Sequence, residues 1–139
     1  MKKKHMYDTE YVSQTPPDWA VKEDDRRYKK YARFRERHGF WPEECWNLDY
    51  AIFTFTLPRL RFLRRNSVGC YPGMFKSWEK WAEVLDAMIW SMEQCVEAPG
   101  HGCPTDKTLA RMKMTREEYE KKVNKGLRLF RKNVLRLGW

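Results

Sequence analysis

The sequence predicts an all-α fold, and three observations carry that prediction. Apolar residues recur at spacings of three and four in several segments, the pattern of helices with one packed face. Capping residues stand where most of these segments begin, and glycine or proline follows the earlier ones. No segment alternates apolar and polar residues for long enough to build a sheet. We predict a compact irregular bundle of about four helices, approximately residues 20–38, 43–65, 77–96 and 116–137, with a flexible N-terminal arm.

The N-terminal arm is predicted over residues 1–17. It mixes charged and polar residues, ends in two prolines and has no apolar period that would offset the entropy cost of ordering. Its basic start is not followed by the apolar stretch of a signal peptide. The remaining residues, 18–139, are enough for one hydrophobic core, so we predict a single helical domain there.

The first two predicted helices differ in character. In the first, Tyr28, Tyr31 and Phe34 recur at every third residue, and Gly39 stands where a left-handed C-terminal residue is expected. The second begins near Pro42, and two glutamates follow at the positive end of the helix dipole. From residue 45 to 65 it is apolar on nearly all sides, which predicts a central, buried helix that Pro58 kinks or splits. A glycine- and proline-containing loop follows at residues 66–73.

The last two predicted helices are amphipathic. Ser77 can cap the third, whose opposite sides are apolar and acidic. A loop from Ala98 onward is expected to continue to Met114, and Thr115 with Glu118 forms a capping-box pattern for the last helix. The apolar stripe of that helix is predicted from Tyr119, Val123, Leu127, Phe130, Val134 and Leu137. A stripe of positive charge lies opposite it: Lys121, Lys125, Arg128, Lys132 and Arg136.

Positive charge is the strongest functional signal in the sequence. The formal net charge is +9, an excess that favours nucleic acid, an anionic membrane or an acidic protein face. Besides the last helix, two clusters stand out: Arg26, Arg27, Lys29, Lys30, Arg33, Arg35 and Arg37 in the first helix, and Arg59, Arg61, Arg64 and Arg65 in the second. Of the first cluster, Arg26, Arg27, Lys30, Arg33 and Arg37 are the predicted binding residues. Each cluster is either a phosphate-binding site or a solvated face that pairs in part with the acidic side of the third helix. The interleaved aromatics of the first helix either stack on bases or make core contacts.

Four motifs are similar to a family of uncharacterised small proteins encoded by tailed bacteriophages. They are WNLDY at residues 46–50, LPRL at 57–60, YPG at 71–73 and WAEVLDAMIW at 81–90. The closing segment from residue 126 to Trp139 also resembles that family, whereas residues 40–45 depart from its pattern. The resemblance implies a phage source and the cytoplasm of the infected bacterial host, and it supplies no catalytic residue.

The cysteines, histidines and acidic residues include candidates for a metal site or a catalytic site. Cys95, His101 and Cys103, with Cys70 or Cys45 as fourth ligand, are weak zinc candidates, because the paired C-x₂-C spacing is missing. Reduced thiols and a solvated histidine are the ordinary interpretation, and no catalytic triad is evident. Asp49 was expected in apolar surroundings, either paired with Arg59 or Arg61 or joined with Glu83 or Asp86 in a metal-binding cluster.

These observations predict a non-enzymatic binding protein without a cofactor. Its expected partner is nucleic acid, a nucleic-acid–protein complex or an acidic protein surface, and no membrane partner is expected. Inhibition of a host defence nuclease, in the manner of an anti-CRISPR protein, is one form of this function, by analogy with other small phage proteins. One alternative is an interaction or assembly component that uses exposed Trp19, Trp41 and Trp139. The other is a small metal-dependent enzyme built on Asp49.

Overall fold

A computed structural model of the chain describes residues 22–45 and 47–138, and every regular element in this part is helical. The α-helices are α1 (Tyr28–His38), α2 (Leu48–Asn66), α3 (Trp78–Val96), α4 (Asp106–Met112) and α5 (Arg116–Asn133). Two short 3₁₀ turns, Pro42–Cys45 and Val134–Arg136, flank α2 and α5. The all-α prediction is confirmed, whereas the helix count is one higher than the predicted four. The predicted arm, residues 1–17, lies outside the described residues.

The described chain divides into two compact units, with the boundary between Ile52 and Phe53 inside α2. In the first unit, α1 begins at Tyr28 instead of near residue 20, because residues 23–27 form turns. It ends as predicted at Gly39, whose φ of 85° lies in the left-handed region. Its aromatic residues Tyr28, Tyr31 and Phe34 are half-buried, and Tyr28 packs against the buried Trp41. The predicted helix start near Pro42 is a 3₁₀ turn, in which the Glu44 carboxylate accepts the Trp41 amide at 2.6 Å.

Helix α2 is amphipathic, not buried all round. Its buried residues are Leu57, Leu60 and Leu63, and large apolar side chains such as Phe55 are exposed on it. Pro58 stands inside the helix without dividing it into two elements. The prediction of a central, buried helix was wrong because a run of apolar residues does not reveal which of them packs.

In the second unit, α3 and α5 pack against each other and provide most of the core. Ser77 caps α3 as predicted and accepts the Lys80 amide at 3.4 Å. Thr115 and Glu118 form the predicted capping box of α5. The most buried residues of α5 are Tyr119, Gly126 and Asn133, spaced seven apart along the predicted apolar side. The last predicted turn of α5 is 3₁₀, so that the helix ends at Asn133 instead of residue 137.

Helix α4 was not predicted and stands in the segment that was expected to be a loop. Thr105 caps it by accepting the Thr108 amide at 3.3 Å. It ends at Lys113, a left-handed residue with φ 53°. Leu109 is its buried residue, and α4 packs on α5. The helix was missed because seven residues are too few to display a helical apolar period.

Candidate polyanion-binding surfaces

The basic stripe of α5 is exposed along its length. We call Lys121, Lys125, Arg128 and Lys132 the α5 stripe; all four are exposed. None of them forms an ion pair with another described residue. At 1.5 Å per residue the stripe extends over about 16 Å. It is therefore a row of cations open to solvent.

The packing of α5 explains why the stripe is exposed. Tyr119, Gly126 and Asn133 lie on the opposite side of the helix, where α5 meets α3. A Cβ atom on Gly126 would overlap with the Ser91 side chain and the Ala87 carbonyl oxygen of α3, so the two helix backbones approach closely there. With that face fixed against α3, the α5 stripe points away from the packed side.

Several basic residues at the edges of α5 are engaged with the protein itself. Lys122 places its ammonium 4.0 Å from the centre of the Trp90 ring. Arg116 donates to the Pro104 carbonyl oxygen and pairs with Asp106 at 3.0 Å. Arg136, predicted as part of the basic stripe, lies in the 3₁₀ turn and donates to the Lys132 carbonyl oxygen at 2.7 Å. Arg136 thus contributes to the end of the helix as well as to the positive surface.

The arginines of α2 are largely engaged with α3. Arg61 donates to Glu93 and Glu97, each at 2.7 Å, and Arg64 pairs with Asp86 at 2.8 Å. These hydrogen bonds, first to Glu97 and then to Glu93, raise the pKa of the Arg61 guanidinium, and the same contact lowers the pKa of Glu97. Of the two interpretations of this cluster, Arg61 and Arg64 show the pairing with acidic residues of the third helix and its C-terminal end.

The other two α2 arginines make local contacts. The Arg59 guanidinium lies 3.6 Å from the centre of the Phe55 ring and donates to the Phe55 carbonyl oxygen. Arg65 donates to the carbonyl oxygen of Arg61. Both remain exposed, but their side chains are held along the helix.

The first unit carries a second basic face, on and before α1. Arg26, Lys30, Arg33 and Arg37 are exposed and form no ion pair within the described part of the chain. Arg27 differs, because it pairs with Asp25 at 2.9 Å. The Arg27 side chain, and then its backbone amide, lower the pKa of Asp25 to about 2. Arg27, directly before α1, is thus engaged by an acidic partner, unlike the other predicted site residues of this face within the described part of the chain.

A groove lies beside this basic face. It has a volume of about 690 Å³ and includes Tyr31, Phe34, His38 and Pro42 on its apolar side. Its basic lining residues are Arg26, Lys29, Lys30, Arg33 and Arg37. The sequence indicated both the cations and the aromatics but not the concavity, which depends on the turn after Gly39 that brings Pro42 beside the helix.

The predicted aromatic anchors are not confirmed. Trp41 is buried, with 4% of its surface exposed, and its ring centre lies 5.8 Å from that of Tyr28. It cannot anchor a partner as an exposed side chain, because the first unit already covers it. Trp19 and Trp139 lie outside the described residues. Among those described, the exposed large apolar residues are instead Phe40, Leu48, Ile52, Phe55, Phe62, Val68, Tyr71, Met74, Val134 and Leu135.

The candidate metal ligands are not brought together. Within residues 22–45 and 47–138, no group of three or more histidines, cysteines, aspartates and glutamates is placed to hold a metal ion. Cys95 is half-buried, whereas Cys103, His101, Cys70 and Cys45 are exposed. Asp49 is exposed in the first turn of α2, which contradicts the expected apolar surroundings. Asp86 and Glu83, its supposed co-ligands, pair with Arg64 and Lys80.

Comparison with known proteins finds no matching family model, no matching curated protein and no matching solved structure. None of the helices among the described residues combines the length and apolar character needed to cross a membrane.

Proposed function

We propose that this chain is a non-enzymatic, phage-encoded nucleic-acid-binding protein that acts in the cytoplasm of the infected host. The observation that carries the proposal is the α5 stripe: four exposed cations in a row, without acidic partners in the described part, opposite a packed helix face. Such a row is suited to contact consecutive phosphates, the interaction that dominates affinity in most nucleic-acid complexes.

The contrast with α2 supports this function. A cation held by a carboxylate must break that pair before it neutralises a phosphate, whereas a solvated lysine only releases water and counterions. Arg61 and Arg64 belong to the first kind, and the α5 stripe to the second. The exposed cations of α1 provide a second face for the same class of ligand.

The test is titration of a labelled DNA duplex between roughly 50 and 200 mM salt. One variant changes Lys121, Lys125 and Arg128 to glutamate. Its matched control changes Lys76, Lys107 and Arg111, which are also exposed, to glutamate. Each variant has three substitutions that lower the charge by two each, so both fall from +9 to about +3.

We expect the α5 variant to lose duplex affinity and to flatten the plot of log affinity against log salt by up to about 2.7, since each lost phosphate contact removes about 0.9. The control should keep a slope close to that of the wild type. Equal losses in the two variants would mean that net charge alone drives binding, and the proposed surface would be wrong.

A narrower form of the proposal is that the ligand is a nucleic-acid–protein complex, and that the chain inhibits a host defence nuclease as an anti-CRISPR protein does. Small proteins without an active site commonly act by covering a surface, and the α5 stripe would compete for nucleic acid there. Expression of the wild type in a nuclease-bearing host should raise phage plating efficiency, and the α5 variant should not. Plating that is unaffected by the wild type would reject this form while leaving duplex binding to be judged separately.

A second candidate function is protein assembly through exposed apolar residues. Val68, Tyr71 and Met74 lie exposed in the loop between α2 and α3, with 67%, 43% and 55% of their surfaces accessible. Exposed apolar groups close together in sequence are typical of interaction sites. Light scattering should then detect a multimer of the wild type, and the double variant Val68→Ser, Met74→Ser should be monomeric. A wild type that is monomeric at all accessible concentrations would reject self-assembly.

A further inference from the structure

The groove beside α1 is large enough to hold a small ligand or part of a larger one. Its volume of about 690 Å³ lies within the range of small-ligand pockets, roughly 300–1,000 Å³. Helix α1 forms most of its lining, and Pro42 of the following turn closes one side. The whole groove belongs to the first unit, so it does not depend on the α5 stripe.

The charge of the groove selects an anionic ligand. Five of its lining residues are arginine or lysine, and no acidic residue lines it among those described. In a helical projection at about 100° per residue, Lys29, Arg33 and Arg37 occupy one arc, and Lys30 adjoins it. Their like charges repel one another in the absence of a ligand, and an anion bound among them would relieve that repulsion.

The aromatic side of the groove selects a ligand with a planar ring. Phe34 is held by Phe40, edge to face with ring centres 5.4 Å apart, and by His38 at 4.2 Å. Tyr31 is half-buried and lines the groove, about 100° from Lys30 and about 120° from Arg37 in the same helical projection. Tyr28, one turn earlier, packs with Trp41 and does not line it. Tyr31 is therefore the ring best placed to stack on a ligand.

We propose that this groove binds single-stranded nucleic acid, with one base stacked on Tyr31 and the neighbouring phosphates on Lys30 and Arg37. Alternation of a stacking ring with backbone-binding cations is the common design of single-strand sites. In a duplex the bases are already paired and stacked, and unstacking one costs a few kcal/mol. The proposal rests on the nucleic-acid-binding function proposed above and adds the ligand class of a second site.

The experiment compares two labelled strands of equal length and charge, a deoxythymidine strand and an abasic strand, bound by the full-length protein. The variant is Tyr31→Leu, which keeps an apolar side chain but removes the ring. Its control is Tyr50→Leu, the same change at a tyrosine that is half-buried like Tyr31 but does not line the groove. We expect Tyr31→Leu to weaken binding of the thymidine strand roughly 5- to 150-fold, the range measured for one stacked base, and to leave the abasic strand unchanged.

A second variant guards against a fold defect in Tyr31→Leu. Lys30→Gln with Arg37→Gln should flatten the salt dependence on the abasic strand by up to about 1.4, at about 0.7 for each single-strand phosphate. Lys107→Gln with Arg111→Gln is its control on α4 and should leave that slope unchanged.

The outcomes separate this proposal from the function on which it rests. If duplex binding depends on the α5 stripe but the wild type binds both single strands equally, the groove does not stack a base and this inference is overturned. It is likewise overturned if Tyr31→Leu and Tyr50→Leu weaken binding of the thymidine strand equally. A different result is that the α5 variant leaves duplex binding intact while Tyr31→Leu weakens binding of the thymidine strand. The groove would then be supported as a single-strand site, and the α5 stripe would be rejected as the duplex-binding surface.

Discussion

Helix α2 carries four cations and α5 carries seven, and the two helices use them differently. In α2, Arg61 and Arg64 flank the buried Leu60 and Leu63 and therefore reach the carboxylates of α3. In α5 the stripe lies opposite the packed line from Tyr119 to Asn133, where no acidic element of the described chain meets it. The position of a cation relative to the packed face, and not the number of cations, decides whether it remains available to a ligand.

The same distinction holds within α1 and the turn before it. Arg27 is engaged by Asp25, whereas Arg33 and Arg37 form no ion pair with a described residue. The α1 helix has no buried residue, and the α5 stripe depends on a face that is packed. The α5 surface is thus tied to the core of the second unit, whereas the α1 face depends on local structure.

The largest effect on stability is expected from Gly126→Ala, because it disrupts the close packing of α3 against α5 that orients the α5 stripe. The added methyl group overlaps with Ser91 and with the Ala87 backbone, so the helices must separate. We expect unfolding free energy to fall by roughly 1–3 kcal/mol in urea denaturation. This is a net loss, which already includes the gain of about 1 kcal/mol that alanine normally brings to a helix interior.

Gly73→Ala is the matched control, because nothing lies within 4 Å of the added Cβ and its φ is not positive. It should leave the urea midpoint nearly unchanged. If Gly126→Ala is as stable as Gly73→Ala, the α3–α5 face is not packed as described, and the orientation of the stripe loses its basis.

A smaller effect is expected at the start of α5. Thr115 accepts the Glu118 amide at 3.2 Å, and the Glu118 carboxylate accepts the Thr115 amide at 2.7 Å. Thr115→Ala should cost about 1 kcal/mol, the usual loss for an N-cap side chain. Thr115→Ser keeps the hydroxyl and should restore most of that stability in the same thermal melts. Equal melting temperatures for the alanine and serine variants would contradict the capping box.

The smallest effect is expected at Arg61, the α2 arginine that pairs with two carboxylates of α3 and its C-terminal end. Its pairs with Glu93 and Glu97 are partly exposed, so Arg61→Gln should cost only about 0.5–1 kcal/mol at neutral pH. Because the Arg61 guanidinium lowers the pKa of folded Glu97, this stabilisation is present above the ordinary glutamate pKa of 4.5. It is lost as the pH falls through the lower folded pKa.

Urea midpoints of the wild type and Arg61→Gln should therefore converge in acid. Lys80→Gln removes a more exposed pair with Glu83 and should change the midpoint little at any pH. A constant difference between wild type and Arg61→Gln across this pH range would argue that Arg61 stabilises by packing and not by charge.

Much of this architecture was predictable from local pattern. Helix ends with a specific chemical signal were predicted well: Gly39, Ser77 and the Thr115–Glu118 box each satisfy backbone groups through one residue or one pair. The basic side of α5 followed from periodicity alone, because exposed residues on a regular helix need no knowledge of neighbouring elements.

The features that were missed depend on neighbours. Gly126 has no side chain to enter an apolar pattern, yet it marks the closest approach of α3. Trp41 was interpreted as an exposed anchor because it lies outside a helical stripe, but the turn at Gly39 returns it to Tyr28. Asp49 was placed in apolar surroundings because the apolar run around it does not distinguish the exposed side of α2.

The claim that packing decides which cations are available is tested most directly by neutralising two cations in α2 and two in α5 and comparing the variants. One variant carries Arg61→Gln and Arg64→Gln, and the other carries Lys121→Gln and Arg128→Gln; the salt slope of duplex binding is measured for both. We predict that the α5 variant flattens the slope by up to about 1.8, at about 0.9 for each phosphate, and that the α2 variant keeps the wild-type slope. Equal slopes in the two variants, or a larger change from α2, would contradict the claim that packing leaves the α5 cations free and engages those of α2.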